Sequence, residues 1–131
     1  MFYNVYCKKE NGRQTMKTSY FANPDILEKD LKLVSIARKI PTWFTKDILI
    51  YQPLCPSWKL VMDYKSKKIN EQEYTERYYY EILSNLDASR TYQELGEDAI
   101  LLCYEKAGQF CHRHLVGKWL MDELHIIVME R

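Results

Sequence analysis

Breakers of regular structure are scarce in this chain, with four glycines and four prolines among 131 residues. That scarcity excludes collagen-like and low-complexity classes. With 47% hydrophobic and 28% charged residues, the composition is that of a folded globular protein. Long apolar runs are missing too: the longest, Ala99 to Tyr104, falls far short of the roughly 20 residues that cross a bilayer. The start, Met1-Phe2-Tyr3-Asn4-Val5, lacks the basic and apolar regions of a signal peptide. A cytoplasmic protein with no membrane partner is therefore expected. Neither charge dominates. The formal net charge is +1 with neutral histidine, which gives no global field to draw the chain to nucleic acid. The length predicts one domain over 1–131, large enough to bury a real core.

Several catalytic signatures are also absent. Gly12, Gly96, Gly108 and Gly117 cannot form a G-x-G-x-x-G fingerprint or a phosphate-binding P-loop. No G-x-S-x-G elbow exists for a hydrolase serine. A cysteine phosphatase would need arginine six positions after its nucleophile, but those positions hold Gly117 after Cys111 and Gln109 after Cys103. Cys7, Cys55, Cys103 and Cys111 contain no C-x-x-C pair, which removes thioredoxin-like and zinc-ribbon readings. Without a secretory signal the expectation is four reduced thiols, with Cys7 and Cys55 serving as small buried apolar groups. No cofactor is implied.

What is present alternates between strand and helix patterns. Phe2 to Cys7 reads as a first strand, and polar Lys8 to Ser19 as a loop or irregular edge. Asn23-Pro24-Asp25 supplies an N-cap and a first-turn proline for a short helix to about Lys32. Leu33 to Ala37 follows as a buried strand. Pro41, Pro53 and Pro56 bracket a long connection carrying Trp43 and Phe44, interrupted by the apolar run Ile48 to Tyr51. Ser57 caps a helix to about Ser66, and Asn70 with Glu73 forms a capping box for the next. That helix carries the stripe Tyr74, Tyr78, Ile82 and Leu86. Ala88 to Leu95 is a further helix, stopped by Gly96. Ile100 to Tyr104 reads as a central parallel strand, His112 to Leu124 as a helix, and Ile126 to Met129 as a closing strand. The pattern predicts an α/β fold, a single three-layer domain with a mainly parallel sheet flanked by helices.

The chemistry concentrates between Leu101 and Leu120. Strand alternation puts Cys103 and Glu105 on one face, with Glu105 at the carboxyl end of the strand, where open α/β sheets bind ligands. After a turn through Gly108, Cys111, His112 and Arg113 open the next helix. A helix N-terminus favours a bound anion and raises the thiolate fraction of a nearby cysteine. Arg38, ending the earlier strand, can reach the same edge and hold a phosphate or carboxylate in its planar fork.

The run Cys103-Tyr104-Glu105-Lys106, followed by Cys111-His112-Arg113-His114-Leu115-Val116, resembles the C-terminal signature of the domain-of-unknown-function 488 family. Ser35-Ile36-Ala37-Arg38 with Pro41 is similar to that family's early strand. Leu54-Cys55-Pro56-Ser57 and Glu73-Tyr74-Thr75-Glu76-Arg77-Tyr78 are similar to its middle helices, although Cys55 stands where alanine is more usual. The resemblance implies a small bacterial or archaeal α/β domain with a shared site at Arg38, Cys103, Glu105, Cys111, His112 and Arg113. It implies no particular reaction.

The leading expectation is a pocket for a small anionic ligand, of nucleotide or nucleic-acid-derived type. Cys111 would be its reactive nucleophile, with Glu105 and His112 as acid–base groups and Arg38, Cys103, Lys106 and Arg113 as ligand contacts. The bland alternative makes Glu105 and Arg113 a structural ion pair and lets both cysteines pack. A zinc site would use Cys103 and Cys111 with His112 or His114. However, the spacing matches no standard motif, and no metal is assigned. A noncatalytic module for nucleic acid or protein would use Lys8, Lys9, Arg13 and Lys17 or Lys65, Lys67 and Lys68, with tyrosines as stacking surfaces. Trp43 and Phe44 are read as packing rather than a lid, and Trp58 as a staple for its helix. No feature of the sequence requires self-association.

Overall fold

The computed structural model describes residues 15–131. Its architecture follows from the most apolar segment of the chain. β4 (Ala99–Cys103) has every residue buried, as a strand covered on both faces must, and it takes the centre of the sheet. β1 (Lys17–Tyr20) pairs parallel on one side, from Lys17 opposite Ile100 to Tyr20 opposite Cys103. β2 (Lys32–Ser35) pairs parallel on the other, from Lys32 opposite Ala99 to Ser35 opposite Leu102. β3 (Leu49–Ile50) adds outside β2, and β5 (Met129–Glu130) outside β1. The resulting parallel order is β3-β2-β4-β1-β5.

Among the described residues four helices accompany the sheet, and side-chain caps start three of them. The Ser57 hydroxyl accepts from the Leu60 amide at 3.1 Å to open α1 (Trp58–Lys65). Asn70 and Glu73 satisfy each other's amides at 2.8 and 2.9 Å, the expected capping box of α2 (Glu71–Glu81). Asp87 caps α3 (Ala88–Leu95), and Gly96 ends it at φ +96°, a conformation that side-chain-bearing residues resist. α4 (His112–Leu124) spans the predicted residues. The fold is the expected α/β class, and no described helix is long and apolar enough to cross a membrane.

Differences cluster where polar residues are buried or where strand pairing competes with local signals. Asn23 does cap, accepting from the Asp25 amide at 3.0 Å, but the helix is one 3₁₀ turn, Pro24–Leu27. Glu28 is already extended and Asp30 takes φ +65°, so the backbone leaves helical geometry before β2 begins at Lys32. The predicted loop Lys8 to Ser19 ends inside β1, whose buried Thr18 and Ser19 disguise it as polar sequence. The closing strand lies at Met129–Glu130, later than expected. On α2, Tyr74 and Tyr78 are buried as the stripe predicts, but the helix stops at Glu81. Ile82 becomes its cap, and Leu86 follows a 3₁₀ turn. The predicted strand Phe2 to Cys7 lies outside the described residues.

Tyr78 anchors this packing. It is fully buried, and its hydroxyl donates to the Leu54 carbonyl at 2.6 Å, tying α2 to the segment before α1. Tyr78→Phe keeps the ring but strips that buried carbonyl of its donor. The expected cost is about 1–3 kcal/mol, read as a lower urea midpoint at unchanged slope.

Candidate functional site

Because all strands run parallel, their carboxyl ends share one edge. The chain leaving β2 goes outward to β3, whereas the chain leaving neighbouring β4 goes to β5 on the opposite side. Diverging connections from adjacent strands leave a crevice between them, the usual ligand position in open α/β sheets. A pocket of about 410 Å³ opens there. Ala37, Arg38 and Lys39 line it from the end of β2, Cys103, Tyr104 and Glu105 from the end of β4, and Cys111 and His112 from the start of α4. Trp58, Val61, Tyr64 and Lys65 of α1 complete a wall with Tyr74 and Phe110. Trp58 is 58% exposed at the mouth, so it is a pocket residue rather than the expected helix staple.

Short contacts fix this rim. The buried Ser35 hydroxyl accepts from the Ala37 amide at 3.1 Å and donates to the Ala37 carbonyl at 3.0 Å, turning the chain as it leaves β2. Arg38 Nε then donates to the Pro56 carbonyl at 2.8 Å, which holds the exposed guanidinium beside α1. The Tyr104 hydroxyl donates to the Lys39 carbonyl at 2.7 Å, linking the two strand exits.

The floor differs from the sequence expectation of free thiols. Cys103 and Cys111 are joined in a disulfide, with their Cα atoms 7.3 Å apart. The turn between them, through Gly108 at φ +83°, returns the chain so that the N-cap of α4 faces the tip of β4. Cys55 is free and buried, as expected. Its thiol is pushed up to about 11 by burial, and it is therefore inert.

His112 sits beside this pair, buried, with Nε2 2.7 Å from the Ile36 carbonyl. A carbonyl only accepts, so Nε2 carries the proton and Nδ1 presents a lone pair toward Cys111 Sγ at 3.9 Å. Burial lowers its pKa to about 4, and the neighbouring Arg113 and His114 push the same way. His112 is therefore a neutral, fixed ring at pH 7. It orients the site and is not the proton-exchanging group expected.

Arg113 is the largest correction. Its side chain is wholly buried beneath the pocket floor and does not line the pocket. Nη2 and Nε donate to the Glu130 carboxylate at 2.8 and 3.1 Å, while Nη1 donates to the Glu105 carbonyl at 2.6 Å and approaches Cys103 Sγ at 3.3 Å. An arginine so engaged is no ligand clamp. The structural ion pair is real, but its acid is Glu130, and Glu105 contributes only its backbone oxygen. Burial raises the Glu130 carboxyl, yet hydrogen bonds from Arg113 and Thr18 hold it below the usual range. Sequence reading missed Glu130 because its only signal is an acid at the end of the last strand. Lys106 is exposed and lies outside the pocket lining.

The DUF488-N3a family model, described as the active DUF488-N3 subclade, matches residues 22–124. The chain belongs to the DUF488 family. No curated protein and no solved structure gives a significant match. Every pocket-lining residue falls inside the matched span of this DUF488 domain, whereas Glu130 lies beyond it.

The two sulfurs and a ring nitrogen of His112 all lie within 4.8 Å of one another, and His114 is not part of that group. Nitrogen and sulfur donors suit zinc when thiols are deprotonated; in the disulfide form both sulfurs are unavailable as ligands. Lys65 lines the pocket, and Lys67 and Lys68 are exposed just beyond it. Lys17 lies in β1, while Lys8, Lys9 and Arg13 lie outside the described residues. Phe44 packs on Phe21 at 5.2 Å, and neither Trp43 nor Phe44 reaches the pocket.

Two outcomes follow for the DUF488 domain. Between pH 6.5 and about 4 the unfolded chain protonates His112 while the folded one does not, so acid removes stability. The full shift amounts to about 3 kcal/mol. Urea titrations across that range are expected to show a shallower acid loss in His112→Gln. Glu130→Gln leaves the buried guanidinium of Arg113 without its countercharge and is expected to cost about 3 kcal/mol, measurable by the same titration at pH 7.

Proposed function

We propose that this DUF488 domain binds a small anionic ligand of nucleotide type in the crevice between the ends of β2 and β4. One observation carries the reading. A near-neutral chain collects Arg38, Lys39 and Lys65 around this pocket against a single lining carboxylate, Glu105. His112 is neutral and Arg113 is neutralised by Glu130, so the cations at the rim set the local field. Arg38 is the principal anion contact, since a planar guanidinium matches a phosphate or carboxylate fork.

The rest of the lining favours an anion that carries a flat ring. Trp58, Tyr64, Tyr74, Tyr104 and Phe110 supply aromatic surface next to the cations, and base–aromatic stacking is worth about 1–3 kcal/mol per base. The pocket volume falls within the range of small-molecule sites. In this reading Cys111, when reduced, is the reactive group at the floor, and Glu105 is the acid or base facing the ligand. The setting is the cytoplasm of a prokaryotic cell, where thiols are kept reduced.

Calorimetric titration with adenosine 5'-monophosphate, uridine 5'-monophosphate and inorganic phosphate tests the proposal. Both nucleotides are expected to bind more tightly than phosphate, and more weakly as salt rises. Arg38→Gln is expected to weaken all three roughly tenfold or more, consistent with a lost charge-assisted hydrogen bond. Trp58→Ala is expected to weaken the nucleotides alone. Equal, salt-insensitive heats in the parent and Arg38→Gln proteins would remove the anion pocket.

A further inference from the structure

We propose that Cys103 and Cys111 form a reversible dithiol–disulfide pair that exchanges two electrons with thiols entering through the pocket. Cys111 is the sulfur that attacks and is attacked, and Cys103 is the resolving and leaving thiol. The proposal stands on the floor of the crevice alone and does not depend on which anion the rim takes.

The two sulfurs have different surroundings, and the difference assigns the roles. Cys111 is the N-cap of the thirteen-residue helix α4, and no side chain caps that end. Its sulfur accepts no amide hydrogen bond from the first turn, so the helix dipole is what favours the thiolate there. Both cysteines line the pocket; Cys111 is 4% exposed, with its sulfur 3.9 Å from Nδ1 of the ring locked to the Ile36 carbonyl. Cys103 is held at the tip of the central strand, 1% exposed, with Arg113 Nη1 3.3 Å from its sulfur. A buried guanidinium stabilises the thiolate released there, and a better-stabilised thiolate leaves faster. An incoming thiol is thus directed to Cys111.

In the reductive direction, a thiolate RS⁻ attacks Cys111 Sγ. The Cys103–Cys111 bond breaks, and its electron pair stays on Cys103 beside Arg113. A second thiolate attacks the R-bearing sulfur of the mixed disulfide, releasing RSSR and the Cys111 thiolate. Two thiols are oxidised to one disulfide and the protein disulfide is reduced to two thiolates. In reverse, Cys111 attacks a substrate disulfide, and Cys103 then resolves the mixed disulfide and expels the second thiol. Cys55 takes no part, because it is buried away from the pocket lining.

The test uses the full chain equilibrated against mixtures of reduced and oxidised glutathione, quenched in acid, unfolded and alkylated with iodoacetamide, and read by intact and peptide mass. Cys103 and Cys111 are expected to lose alkylation together as the oxidised fraction rises, giving a cross-linked peptide pair, while Cys55 stays labelled. At limiting oxidised glutathione, Cys103→Ser is expected to trap glutathione on Cys111 at least tenfold more than Cys111→Ser traps it on Cys103. Full alkylation of both residues at every ratio would overturn the proposal. So would equal trapping in the two variants, with circular dichroism confirming that both fold. Native mass supplies a third arm: one zinc retained by the reduced protein and lost in both variants would assign the pair to a metal instead. Failure of these arms leaves nucleotide titration of the parent protein unchanged, so the two proposals fall separately.

Discussion

A buried positive charge organises this domain. Arg113 lies wholly out of solvent, and an isolated guanidinium there would carry a penalty of several kcal/mol. The fold must therefore bring acceptors to it. Glu130 arrives from the last strand, the Glu105 carbonyl from the exit of β4, and Cys103 from the strand tip. Thr18 also donates to Glu130, so β1 joins the same network. Meeting those contacts sets the position of the first turn of α4, and with it Cys111 and His112. The pocket floor is a by-product of satisfying that charge.

The same constraint separates two kinds of cation. Arg113 is consumed internally, whereas Arg38 is tethered through one nitrogen at an exposed rim. Identical residue types near one sheet edge thus have unlike surroundings: one is built into the floor, the other lines the exposed rim. His112 completes the contrast. Its ring is neutral because burial disfavours the charged form, so it contributes direction and a lone pair without adding to the field. Local polarity at the mouth and fixed geometry at the base are both consequences of burial, not of net charge.

Much of this was legible in the chain itself. The apolar run at Ile100 to Tyr104 reads as a central strand, and β4 spans Ala99–Cys103 with Tyr104 exposed just beyond it. The capping residues Ser57, Asn70 with Glu73, and Gly96 mark helix ends by hydrogen bonding and backbone conformation that act within a few residues. The clustering of Arg38, Cys103, Glu105, Cys111 and His112 at one edge follows from parallel strands, which put their carboxyl ends together. β1 was hidden because Thr18 and Ser19 look like loop residues until hydrogen-bonding partners bury them. The short helix after Pro24 stops after one 3₁₀ turn, because Glu28 is extended and Asp30 turns the chain at φ +65° on its way to β2.

Sequence alone determined most of the elements and that Arg38, Cys103, Glu105, Cys111 and His112 gather at one sheet edge, because caps, periodicity and strand alternation are short-range. Only the tertiary structure decided what each site residue does. Arg113 points beneath the floor because Glu130, seventeen positions away, neutralises it there. Lys106 stays outside the pocket lining, Trp58 joins the mouth, and Cys103 meets Cys111 across a turn. Such roles depend on which groups burial leaves without water and which distant partner replaces it, and no local pattern carries that information.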